Sequence, residues 1–209
     1  MSDDAQGKLY SYVVTHDGGF APNPFFGYCT LANCKPKIRR GAQIGDWVVG
    51  TGTTRNNREP RVVYAMRVTE VLTFEEYWAD ARFVEKKPRF DADKKFECGD
   101  NIYYRDPPNE LWCQLRSQHS NVDGSVNLKN LEHDTSVNRI LISKDFVYWG
   151  GNGPVLPIEF DNDDIRIRKV GPGHKCRFPE SVVSGFISWI RSHKKSGFIG
   201  KPQDWNRAC

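Results

Sequence analysis

The strand-forming runs of this chain are short and repeatedly interrupted, which restricts its fold more than any other feature. Residues 9–15 alternate, with Tyr10, Tyr12 and Val14 set against Ser11, Val13 and Thr15, the period-two pattern of a strand. A second strand is expected from Trp47 to about Thr51, after a turn at Gly45-Asp46. The clearest is PRVVYAMRVTEVL, residues 60–72, with Val62, Tyr64, Met66 and Val68 on one face; the polar link TTRNNRE before it suits a hairpin tip. TFEEYWADARF, residues 73–83, opens with Thr73 three places before Glu76, a capping-box arrangement that predicts a short helix. Residues 84–110 read mainly as loop with a brief strand near 101–105, and residues 111–136 are polar and uninformative. A short helix or strand follows Val137, then the aromatic triplet Phe146, Tyr148 and Trp149 and a glycine-rich turn. FPESVVSGFISWIRSHKKSG, residues 178–197, is an amphipathic helix in which Val182, Phe186 and Ile190 recur at four-residue spacing, with Val183 and Ile187 beside them. Short strands closed by a terminal helix predict an α+β fold: one domain over residues 1–209, built on a curled sheet or small barrel with flanking short helices.

The segment after the first strand is no ordinary turn. Its fourteen residues HDGGFAPNPFFGYC, 16–29, hold three glycines, two prolines and four aromatic rings, so a stiffened loop is expected to display rings. Each ring taken singly also suits the core. Together, Phe20, Phe25, Phe26 and Tyr28, with Tyr148 and Trp149 before their glycine turn, suit stacking on a splayed-out base.

Charge points the same way. Basic residues outnumber acidic ones by 30 to 26, a mild excess, but KPKIRR at 35–40 carries four cations without an acid and IRIRKVGPGHKCR at 165–177 carries five plus His174. Such runs suit phosphate contact as well as a solvated face. No apolar run approaches the roughly 18 residues of a membrane span, and MSDDAQGK lacks a signal peptide's apolar stretch, so the cytoplasm is the expected compartment, with no membrane partner.

Catalytic signatures are few. GTGTTR at 50–55 and GGNGP at 150–154 lack a phosphate-loop lysine and suit tight turns, with Thr51, Gly52 and Thr53 available to line a pocket mouth. The pair His16-Asp17 is the candidate for acid-base work. The six cysteines have no zinc spacing; Cys29, Cys34, His174 and Cys176 form the one set worth testing, and no metal or other cofactor is expected.

KLYSYVVTHDGGFAPNPFFGYCTLANCKPKIRRGAQIGDWVVGTG followed by RVVYAMRVTEVLTFEEYWADARF resembles the nucleotide-modification-associated domain of the second type, a bacterial and phage family found beside DNA base-hypermodification genes. The block order is similar, more distantly, to EVE and other PUA-like domains, although THDGGFAPNP stands where EVE domains carry a Lys-Ser-Glu-Pro type motif. The resemblance implies a PUA-like fold and a role in recognising or processing modified nucleobases, in DNA or as nucleotides. The base would sit among Thr15, His16, Asn23, Phe25, Phe26, Thr51, Gly52, Thr53 and Trp149. Phosphate would lie on Lys35, Lys37, Arg39 and Arg40. Two alternatives stand beside recognition: an enzyme of base hypermodification using His16 or Cys29, and a protein-interaction module within a modification or defence system.

Overall fold

The computed structural model describes residues 7–53, 60–106 and 110–206. The alternating run forms strand β1, Leu9–Val14, which pairs in parallel with β3, Trp47–Gly52, placing Tyr10 opposite Val48. β3 continues antiparallel to β4, Val62–Arg67, and β4 to β9, Asp145–Tyr148. Two-residue strands complete the edges: β10, His174–Lys175, beside β1, and β11, Gly197–Phe198, beside β9. The resulting order β10-β1-β3-β4-β9-β11 is open, with no closed barrel among the described residues.

These strands belong to one of two compact units, made of Met1–Asp17, Ala42–Thr69 and Ser143–Cys209. Its core joins Leu9, Trp47, Val49, Ala65 and Val147 to Val182, Val183, Phe186 and Ile190. The last four lie on helix α5, Glu180–Ser192. The expected four-residue apolar spacing is therefore the buried stripe, since a helix brings positions i and i+4 to one face.

The second unit is Gly18–Gly41 with Glu70–Ile142. A three-stranded sheet orders β2, Cys29–Leu31, β8, Ile140–Ser143, and β5, Glu70–Leu72. A hairpin pairs β6, Tyr103–Asp106, with β7, Leu111–Gln114. Around these strands lie short helices α1, Pro36–Gly41, α2, Phe74–Ala79, α3, Lys94–Glu97, and α4, Leu128–Thr135. Phe20, Phe74, Tyr77, Phe83, Tyr103 and Ile142 contribute to its own apolar core.

Three expectations change. The run 60–72 is two strands in two sheets, because Val68 is tied to the Gly45-Asp46 turn: its N–H donates to Asp46 O and its carbonyl accepts from Gly45 N, both at 2.8 Å. Gly50 and Gly52 lie inside β3 and not in a tight turn. Side-chain room is the reason at Gly50, where a Cβ would come within 2.6 Å of both the Tyr64 ring and Val14. The stretch 111–136 holds β7 and α4. The capping box is as expected, Thr73 accepting from Glu76 N while Thr73 N donates to Glu76. The tip of the link TTRNNRE, residues 54–59, lies outside the described residues. Among the described residues no helix is long and apolar enough to cross a membrane.

Candidate active site

The segment between β2 and α1 turns through two consecutive left-handed residues, Cys34 at φ 60° and Lys35 at φ 44°. Side chains disfavour that conformation by about 1–2 kcal/mol per residue, so surrounding contacts must hold it. Two buried groups do. Asp134, in the last turn of α4 and fully buried, accepts the Cys34 N–H on Oδ1 at 2.8 Å. Arg39, also fully buried, donates from Nε to Cys34 O at 2.9 Å and from Nη1 to Val137 O and Arg139 O at 2.7 and 2.8 Å. Its Nη2 bonds to Asp134 O. One guanidinium thus fixes the Cys34 turn against Asp134 O, a last-turn carbonyl that α4 itself leaves without a donor, and against Val137 O and Arg139 O just beyond the helix.

The Cys34 thiol, half-buried, faces a histidine 85 residues away: Sγ lies 3.3 Å from Nε2 of His119. The other ring nitrogen, Nδ1, lies 2.7 Å from Asp134 Oδ2. Asp134 is further fixed by Tyr103, whose hydroxyl donates to Oδ2 at 2.9 Å. The backbone of His119 is held in turn by Gln114 Nε2 and Asn130 Nδ2, which both donate to its carbonyl, at 3.1 and 2.9 Å. Phe20 packs its ring 4.8 Å from the imidazole. Burial opposes charge on His119, but the hydrogen bonds to Asp134 and Cys34 outweigh it and raise its pKa to about 10. At neutral pH the ring is therefore protonated, donating to Asp134 from one nitrogen and to sulfur from the other. Burial raises the Tyr103 hydroxyl, and the adjacent Asp134 charge raises it further, keeping it a donor.

Nucleophile, proton carrier and orienting carboxylate in line are the parts of covalent catalysis by a thiol. The same three residues also form a group whose ligand atoms lie within 4.8 Å of one another, close enough for a metal ion. The donor set fits a metal poorly. His119 addresses Cys34 and Asp134 through opposite ring nitrogens, and both Asp134 oxygens already accept hydrogen bonds, from Cys34 N and from Tyr103, so an ion would have to displace these contacts.

The residues expected from sequence are distributed differently. Thr15 and His16 are exposed, Thr51 and Trp149 are buried, and Gly52 and Thr53 are half-buried, all in the first unit. Thr51 Oγ1 bonds to Tyr12 O at 3.4 Å, and Trp149 is part of that unit's core. Asp17 is a clasp for a later segment: its carboxylate accepts from the Tyr148 hydroxyl and from Gln203 N, and its carbonyl from Asp204 N. Burial raises the Asp17 pKa.

Asn23, Phe25 and Phe26 lie in the second unit. Asn23 is fully buried, with Nδ2 donating to Cys98 O at 2.8 Å and Oδ1 accepting from Lys86 at 2.6 Å. Phe25 is buried, and Phe26 packs on Phe96 at 4.8 Å. The ring-bearing loop thus turns much of its chemistry inward. Fully buried Lys86 organises it, its Nζ also reaching Asn23 O, Tyr28 O and Thr30 Oγ1 at 3.0–3.1 Å. Desolvation lowers the Lys86 pKa to about 8.

Of the basic segment, Lys37 and Arg40 are exposed and Lys35 is half-buried, whereas Arg39 points inward onto carbonyls and is unavailable to phosphate. Cys29, the first residue of β2, is fully buried, and burial pushes its thiol well up. The set Cys29, Cys34, His174 and Cys176 is split between the two units. His119 and Asp134 are the functional candidates that sequence reasoning passed over; the signal lay in a polar stretch without periodicity.

Searches of curated proteins and of solved structures returned no match. The sequence model described as nucleotide modification associated domain 2 matches residues 6–208, essentially the whole chain, and the protein belongs to that family.

Proposed function

We propose that this domain is a thiol-dependent enzyme of nucleotide modification, with Cys34 as nucleophile, His119 as proton carrier and Asp134 as the group that orients both. The observation that carries this reading is the alignment of sulfur, imidazole and carboxylate, at 3.3 and 2.7 Å. The family's description, nucleotide modification associated domain 2, supports nucleotides as the substrate class. Lys35, Lys37 and Arg40 follow the nucleophile directly in the chain and are the phosphate contacts of this reading, in DNA carrying modified bases or in modified nucleotides. The whole chain acts as one functional domain, in the cytoplasm and alongside other proteins of a modification system. The PUA-like block order supports a separate base-recognition role for the first unit, with His16 and the Thr51–Thr53 segment as contacts to test.

In this mechanism the sulfur, its proton held by His119, attacks an electrophilic carbon of the substrate as a thiolate. His119 Nε2 then gives that proton to the group that leaves or to the carbanion that forms, while Asp134 keeps the ring turned toward sulfur. The test is protection. Deoxynucleotides and short DNA oligonucleotides, plain and modified, are added at low salt while Cys34 is alkylated with iodoacetamide and followed by peptide mass spectrometry. At least one class of nucleotide slows Cys34 labelling by about tenfold at saturation, without slowing that of Cys113 or Cys176. Unchanged Cys34 labelling with every nucleotide contradicts the reading.

A further inference from the structure

Asp134 does more than orient His119: its Oδ1 takes the backbone N–H of Cys34 at 2.8 Å. That detail bears on which nucleotide atom the thiol attacks. In acyl transfer, negative charge develops on an oxygen beside the attacked carbon, and donors must already be aimed at it. The nucleophile's own amide is the donor nearest to that oxygen, and here it is committed to a carboxylate.

Among the electrophiles a nucleotide offers are phosphorus, acyl carbon, and the conjugated C6 of a pyrimidine ring. A thiolate attacks phosphorus or acyl carbon where backbone N–H groups beside the sulfur receive the developing oxygen charge, and here the Cys34 N–H is taken by Asp134; a conjugated carbon makes no such demand and suits a soft sulfur nucleophile. Addition at C6 moves charge through the ring to the substituent at C4, away from sulfur, so no donor is needed beside the attacked atom. A second requirement, a proton source next to sulfur, is met by His119 Nε2 at 3.3 Å, because C5 is bonded to the carbon that sulfur attacks.

Resting on the thiol-enzyme reading above, we propose that Cys34 adds to C6 of a pyrimidine nucleotide and so activates C5. Cys34 attacks as the thiolate, its proton having passed to His119 Nε2 at 3.3 Å: the Sγ–C6 bond forms from a sulfur lone pair as the C5–C6 π pair becomes a carbanion at C5, delocalised to the C4 substituent. C5 takes a proton from His119 Nε2, giving a 5,6-dihydro adduct. In reverse, His119 removes a proton from C5, the π bond re-forms and sulfur leaves with its electron pair. The chain alone thereby exchanges the C5 hydrogen with solvent, and no oxidant, reductant or co-reactant is consumed.

The full chain is incubated in D2O with dCMP, with dUMP and with a pyrimidine-rich single-stranded oligonucleotide, and the H5 signal is followed by proton NMR. H5 is lost from at least one of the three; the loss is abolished in Cys34→Ser and in wild type alkylated at Cys34, and slowed about 10²–10⁴-fold in His119→Gln. Alkylated wild type keeps the comparison valid if the serine variant misfolds. Exchange that survives alkylation of Cys34 overturns the proposal. So does absence of exchange with all three probes when nucleotides still protect Cys34, and that outcome leaves the thiol-enzyme reading standing; loss of protection as well overturns both. A hydroxylamine-sensitive thioester on Cys34 also overturns addition at C6, in favour of acyl transfer.

Discussion

Arg39 shows how a single side chain exchanges one expected role for another. In KPKIRR it looks like any phosphate-binding cation, but one turn of helix separates inward from outward positions: Ile38 and Arg39 are buried, Lys37 and Arg40 exposed. Burial lowers its pKa, although only to about 10, so it keeps its charge at neutral pH. Arg39→Ala leaves the carbonyls of Cys34, Asp134, Val137 and Arg139 without their buried donor, and is expected to destabilise the protein by about 3 kcal/mol or more in urea denaturation. Arg39→Lys, which lacks the planar fork, recovers less than half of that. His119 makes a second residue-scale prediction. Its pKa is raised from the ordinary value of about 6.5 to about 10, so its contribution to stability is full below about pH 6.5 and is lost as pH rises toward 10. The melting temperature of wild type therefore falls over that window more steeply than that of His119→Gln.

The elements differ in how openly the sequence announced them. Helix α5 and the Thr73–Glu76 capping box were legible because their signals are local: a four-residue apolar spacing and a three-residue polar one. Phe186→Ala should accordingly cost about 3–5 kcal/mol, read as a drop in melting temperature, and Thr73→Ala about 1 kcal/mol. β4 and β5 were read as one strand because the apolar pattern runs on through the point where Val68 is tied to the turn at residues 45–46. The ring-bearing loop was misjudged for a different reason. Its composition predicts stiffness correctly, but the buried Lys86 that draws Asn23 and Thr30 inward lies 63 and 56 residues away, and no local pattern carries such a contact. Lys86→Met removes the donor shared by four acceptors and is expected to lower stability by about 2–5 kcal/mol. The site has the same difficulty in greater degree: Cys34 and His119 are 85 residues apart, and Asp134 is 100 residues from Cys34. None of the three lies in a motif of fixed spacing.

At the scale of the whole molecule, the family match spans both compact units, while Cys34, His119, Asp134 and the arginine that fixes the turn all belong to one of them. The open six-stranded sheet and α5 belong to the other, together with the exposed His16. What the sequence made readable at this scale was the class, α+β with a terminal helix, and the family. The thiol site was hidden because its meaning lies in tertiary juxtaposition. The central claim is that His119 activates Cys34, and the direct measurement is the rate of iodoacetamide alkylation at neutral pH, resolved by peptide for Cys34, Cys113 and Cys176, all three half-buried. The account predicts that Cys34 reacts about tenfold or more faster than the other two, and that His119→Gln removes this advantage. Equal rates at the three cysteines, or an advantage at Cys34 that survives His119→Gln in a folded protein, would contradict it.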